Sequence, residues 1–285
     1  MSKIDQLSVI TDEISQDFER ALDVALEYGV KTVDLRTIWN KNITFFTDDE
    51  LAKLKDLLDE RKMKIGVITG PIGKTMLPIS KFSKDKESLM RNPTYNLSFF
   101  DRIFEISDFF QTPHIRIFTF LRLGIKSEEE GWNKMIELLS PWIEKAEKRN
   151  KILHVENDLG MLVGTIEQTK RFFEEIDSKN VKLMLDPGNY FMEKDLTTPE
   201  AYEYFYEKDI VGHMHIKDPK RKLPVAGATF TVVGEGHIDY RSLLKQAIDH
   251  DYKGNFILET HSIRNKEEVS KKSLENLSNW LKEFD

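Results

Sequence analysis

The run Val211-Gly212-His213-Met214-His215-Ile216-Lys217-Asp218 places two imidazoles two residues apart in an apolar stretch. Side chains alternate between the faces of a strand, so His213 and His215 share a face that begins with the apolar Val211. Three other short apolar runs finish on a carboxylate, at Glu156, Asp186 and Glu259. A single acid after a strand is ordinarily a helix cap or a surface group, and a single histidine there is as readily a satisfied polar residue. Four such residues, Glu156, Asp186, His215 and Glu259, ending neighbouring strands are hard to attribute to capping. Three carboxylates and one imidazole suit a divalent ion. Mn²⁺ is the expected one, and Mg²⁺, Co²⁺ or Zn²⁺ is compatible with the same donors. Such an ion stabilises the enolate formed when a carbon next to a carbonyl loses its proton. Carboxylates on opposite sides of the substrate would then move that proton, and Glu156 and Glu259 are the expected acid/base pair.

The elements that must position these residues repeat as strand then helix. Strands are expected at 7–11, 32–36, 64–70, 114–118, 152–156, 181–186, 210–215 and 256–259. Helices are expected from Asp17 to Gly29, from the capping box Thr47-Asp48-Asp49-Glu50 to Arg61, and at 94–110, 129–149, 165–176, 199–206, 239–250 and 266–284. Short strands apolar on both faces, each followed by a helix, indicate a parallel sheet, and eight such units close into a single (β/α)₈ TIM barrel spanning residues 1–285. An open doubly wound sheet is disfavoured, since Thr11-Asp12-Glu13-Ile14 follows the first strand in place of a glycine-rich phosphate turn. Two long connections, 71–91 and 217–237, break the rhythm and are candidates for functional loops.

The 285-residue chain carries a net charge of −7 and no cysteine. The acidic balance argues against a nucleic-acid partner. Without thiols, any metal must sit on oxygen and imidazole ligands. No apolar run approaches the roughly 20 residues needed to cross a bilayer, so no membrane partner is expected, and the start has no apolar leader segment; a cytoplasmic location is the expectation.

The segments His154-Val155-Glu156-Asn157, Leu185-Asp186-Pro187-Gly188-Asn189, His215-Ile216-Lys217-Asp218, Val233-Gly234-Glu235-Gly236 and Leu258-Glu259-Thr260-His261 resemble the xylose-isomerase-like barrels of the sugar isomerase and epimerase superfamily over nearly the whole chain. The resemblance implies a metal held by Glu156, Asp186, His215 and Glu259, and homo-oligomers, either dimers or tetramers. The ketose 3-epimerases of that family place an arginine six residues after the ligand histidine, where Arg221 stands, and a histidine three after the ligand aspartate, where this chain has Asn189. Candidate substrate contacts are Arg221, Lys217, Asn189, Arg36, Arg116 and His261, with His213 supporting His215 from below. The basic turn Lys217–Lys222 makes a phosphorylated sugar attractive, although a solvated charge run would read the same.

The expected function is therefore metal-dependent isomerisation or epimerisation of a sugar or sugar phosphate through an enediolate. Dehydration of a keto-polyol, as in the inosose dehydratases, is the alternative. An endonuclease IV-like repair enzyme is disfavoured because the third and fourth strands end in Thr69-Gly70 and Phe118-Thr119, and Asn189 stands where a further histidine would be needed. A non-catalytic sugar-binding barrel is disfavoured by the intact ligand set.

Overall fold

Eight short apolar runs pair in parallel and close on themselves in the computed structural model, which describes residues 2–81, 97–221 and 228–285, with backbone alone at 97–99, 221 and 228. The barrel strands are β1 (Leu7–Ile10), β2 (Thr32–Leu35), β3 (Lys64–Ile68), β4 (His114–Ile117), β5 (Ile152–Glu156), β6 (Val181–Leu185), β7 (Val211–Ile216) and β8 (Phe256–Leu258). Each pairs with the next in chain order, and β8 pairs with β1, Val9 opposite Leu258. A closed sheet has no edge, so every strand buries both faces.

Around it lie α1 (Phe18–Glu27), α2 (Asp48–Glu60), α3 (Leu97–Phe109), α4 (Glu128–Lys148), α5 (Ile166–Glu175), α6 (Pro187–Met192), α7 (Pro199–Glu207), α8 (Tyr240–Asp249) and α9 (Lys266–Glu283). Their starts follow from capping chemistry: the side chains of Asp17, Thr47, Ser127, Thr165 and Asp239 each accept the N–H three residues on. The capping box expected at Thr47 is present, with Glu50 accepting the Thr47 N–H at 2.7 Å. Leu274, Leu277 and Leu281 form the buried stripe of α9. Ile10, Val67, Met184 and Ile257, from β1, β3, β6 and β8, touch one another and form an apolar plug inside the barrel.

Three features depart from the sequence reading. The connection after β7 is not all loop: Asp218–Arg221 pairs antiparallel with Ala228–Thr231. The six-residue α6 was not expected, because its signal is an aspartate cap and Pro187 at the first helical position rather than a periodic apolar face. The first part of the 71–91 connection lies against the β4 loop, with the N–H of Phe118 and Leu121 donating to Ile72 and Thr75 carbonyls at 2.8 Å. The remainder of that connection, and the expected start of the following helix at residue 94, fall outside the described residues.

Candidate active site

Glu156 ends β5, Asp186 follows β6, His215 lies one residue before the end of β7 and Glu259 follows β8, so all four reach the C-terminal mouth of the barrel. All are fully buried or nearly so. Around His215 Nδ1 stand Glu156 Oε1 and Glu259 Oε2, each at 3.4 Å, and Asp186 Oδ2 at 3.8 Å. Each carboxylate divides its oxygens between this spot and a different partner. Glu156 Oε2 accepts from Arg116 Nη1 at 3.0 Å. Glu259 Oε1 accepts from Arg36 Nη1 at 2.6 Å and lies 3.2 Å from His261 Nε2. Asp186 Oδ1 caps α6 through the Asn189 N–H at 2.9 Å. Asp186 is thus both the helix cap that its sequence position suggests and a member of the cluster.

The electrostatics follow from burial among these partners. Burial alone would raise the Glu156 pKa, but the Arg116 guanidinium and His215 outweigh it and bring it well below the usual carboxylate range. Glu259 is likewise lowered against its own burial, by Lys217, His261 and His215. Burial raises Asp186 to about 6, opposed by Lys217. His215 would be lowered by burial, yet the carboxylates of Glu156 and Glu259 raise it to about 10, a sign of how negative the spot is.

A divalent ion is implied by this donor set. Neither nitrogen of the buried His215 ring has a hydrogen-bond partner among the described residues, and one oxygen of each carboxylate faces its Nδ1. Three hard oxygens and one imidazole nitrogen fit Mn²⁺, Mg²⁺, Co²⁺ or Zn²⁺.

A cavity of about 180 Å³ adjoins the cluster, and Arg36, Thr69, Lys74, Arg116, Phe118, Asp158, Lys217 and His261 are among its walls. A larger groove of about 770 Å³ runs outside the barrel between α7 and α8, lined by Glu203, Arg241 and Lys245. It contains none of the clustered residues, so the small polar cavity is the candidate site.

The other expected site residues are distributed unevenly. Lys217, Arg36, Arg116 and His261 line the cavity. Both arginines are already engaged: Arg36 holds Asp12, Glu13 and Glu259, while Arg116 donates to Glu156 and to the Thr69 carbonyl at 3.0 Å. Asn189 is buried under the cluster, its Nδ2 donating to Asn157 O at 2.9 Å and Asp186 Oδ2 at 3.0 Å. Arg221 ends the first strand of the ribbon after β7, and its side chain lies outside the described residues.

His213 lies deeper than His215, as expected, but it does not line the cavity. It packs at the opposite end of the barrel against His114 and His154, with ring centroids 4.6 and 4.4 Å away, beside a second cavity of about 350 Å³. Two residues along a strand amount to nearly 7 Å, which removes His213 from the site altogether. Its Nδ1 accepts the Asn255 N–H at 2.8 Å. That uses the ring's lone pair and leaves Nε2 to carry the proton, so His213 is not a metal ligand in this pose.

Sequence reasoning missed Asp12 and Glu13, which follow β1. Glu13 Oε2 accepts from Thr260 Oγ1 and from the His261 N–H, both at 2.9 Å, tying the first loop to the segment that carries Glu259. Their signal was available: an acidic pair one residue after an apolar strand.

Comparison with known proteins agrees with this architecture. The sequence profile described as xylose isomerase-like TIM barrel matches residues 22–284. The inosose dehydratase of Salmonella typhimurium is 24% identical over 172 residues, 55% of this chain and 56% of the relative, so the chain spans about half the length of that relative in the match. Among solved structures, the IOLI protein with a binding zinc atom superposes with a TM-score of 0.77 at 15% identity, covering 98% of this chain and 99% of that one. An L-ribulose 3-epimerase gives 0.73 at 14% identity, with 97% and 94% covered. Identities this low establish a shared fold.

Proposed function

The chain belongs to the xylose isomerase-like TIM barrel family, and from that premise we propose that it is a divalent-metal-dependent isomerase or epimerase acting on a small sugar or sugar phosphate. The observation that carries this reading is the convergence of Glu156 Oε1, Asp186 Oδ2 and Glu259 Oε2 on His215 Nδ1 at the wall of the cavity. Glu156, Asp186, His215 and Glu259 would hold the ion. When bound, it supplies Lewis acidity that stabilises negative charge on a substrate carbonyl oxygen.

The protein's own groups do the rest. Glu156 and Glu259 stand on opposite flanks of His215, β5 with Glu156 lying beyond β6 on one side of β7 and β8 leading to Glu259 on the other. One removes the proton next to the carbonyl and, now protonated, returns it to the neighbouring carbon; delivery to the opposite face requires the other glutamate first to take up a proton from solvent. Arg116 and Arg36 hold the outer oxygen of each glutamate, so that the carboxylate stays ionised and its inner oxygen stays turned toward His215. Phe118 and Pro71 help to wall the cavity against water.

A second reading, loss of water from a keto-polyol, is favoured by Lys217, whose ammonium reaches Asp186 and Glu259. An ammonium there offers a proton to a departing hydroxyl, which the first reaction does not need. The similarity to an inosose dehydratase points the same way.

Incubation with ketoses and inososes in deuterated water, followed by mass spectrometry, tests both. Deuterium uptake without loss of water supports isomerisation or epimerisation, and loss of water supports the second reading. Glu156→Gln and Glu259→Gln should keep the fold and slow uptake by about 10²–10⁴-fold. Uptake at the wild-type rate in folded variants would remove these residues from their assigned roles.

A further inference from the structure

Lys217 follows His215 by two residues, yet its ammonium stays within the barrel mouth. The side chain is 1% exposed and its Nζ lies 2.7 Å from Asp186 Oδ2 and 3.0 Å from Glu259 Oε2. These are two of the three oxygens that face His215 Nδ1. The pose is built rather than incidental. The Tyr240 hydroxyl accepts the Lys217 N–H at 3.2 Å and donates to its carbonyl at 2.8 Å. Gly188 clears the path of the stem, since a Cβ there would stand 2.5 Å from Lys217 Cγ.

An ammonium and a dication that draw on the same two buried oxygens face each other at a distance where little water screens them. We propose that Lys217 competes with the divalent ion for Asp186 and Glu259, lowering the affinity of the site and turning toward the cavity when the ion is held. The four-carbon stem gives the ammonium room to move, and the cavity that Lys217 already lines receives it. The residue so released faces the substrate, which links ion uptake to the placing of a cation in the pocket. This inference rests on the reading of Glu156, Asp186, His215 and Glu259 as a metal site.

Calorimetric titration of chelator-treated protein with Mn²⁺ tests it without recourse to activity. Lys217→Met and Lys217→Gln should bind Mn²⁺ roughly tenfold or more tightly than the wild type, whereas Lys217→Arg, which keeps the charge, should stay close to it. Equal or weaker binding by folded Met and Gln variants overturns the proposal and leaves the metal-site reading standing. A wild-type protein that takes up no Mn²⁺, Mg²⁺, Co²⁺ or Zn²⁺ overturns that reading and the proposal together. If neither neutral variant folds, amine labelling of the wild-type protein decides: faster modification of Lys217 with Mn²⁺ than with chelator supports displacement, and equal or slower modification overturns it.

Discussion

Arg36 illustrates how a residue acquires its role from its partners. An arginine at the end of an apolar strand needs a counter-charge, and the sequence reading supplied one from the substrate. In the structure its Nε and Nη2 hold Asp12 at 3.1 and 2.8 Å, Nη2 also reaches Glu13, and Nη1 takes Glu259. Four of its five N–H groups are thereby used, so Arg36 positions Glu259 rather than reaching for a ligand. Arg36→Met should leave buried carboxylates unpaired and cost about 3–5 kcal/mol of stability, with kcat falling more than KM rises. Denaturant titration and steady-state kinetics check this. A variant that raises KM alone, with unchanged stability, would restore the substrate-binding role.

At the level of elements, the barrel strands place the chemistry and the connections after them shape its access. Asp218 opens the ribbon after β7 and is fully buried. Its carboxylate accepts the N–H groups of Gly234 and Gly236 at 2.9 Å and of Ile238 at 3.2 Å. Gly236 has no side chain for a physical reason: a Cβ would lie 2.0 Å from Asp218 Oδ1. This carboxylate ties the return segment of the ribbon to the mouth, where Phe230 meets His261 with ring centroids 5.3 Å apart. Asp218→Ala removes three hydrogen bonds to a charged acceptor, each contributing about 1.5–3 kcal/mol. Amide exchange should accelerate at residues 232–238 and stay slow in β5, β6 and β7. Uniform acceleration across the barrel would mean that Asp218 supports the whole fold instead of the ribbon.

For the whole molecule, the two ends of the barrel have opposite electrostatic characters. The mouth concentrates carboxylates paired with cations, whereas the other end packs the neutral rings of His114, His154 and His213. Burial lowers the His114 pKa from its ordinary value to about 4. The unfolded chain therefore binds a proton as pH falls through about 6.5, while the folded protein resists until about 4. Stability that His114 contributes above pH 6.5 is lost between those values, on the order of 3 kcal/mol. His154 and His213, also lowered by burial, act in the same direction. Chemical denaturation at pH 7.5 and pH 4.5 should show a smaller drop for His114→Gln than for the wild type; an equal drop would assign the acid sensitivity elsewhere.

The order of eight strand–helix units, their caps and the four residues Glu156, Asp186, His215 and Glu259 were legible in the sequence. They are written locally, in apolar runs a few residues long and the single groups that end them, and a closed parallel barrel necessarily brings strand ends to one mouth. That His213 lies below His215 was legible from the strand repeat, but its packing against His114 and His154, on other strands, was not. Nor were the partners of the arginines, because Arg36 meets Glu259 across 223 positions of sequence and Thr260 meets Glu13 across 247. Such contacts arise only when β8 closes against β1. The sequence by itself thus determined the barrel and its candidate ligands. Only closure of the barrel decided which oxygen of each carboxylate faces His215, and that Arg36, Arg116 and Lys217 hold those carboxylates, since each buried charge must find its counter-charge on another strand.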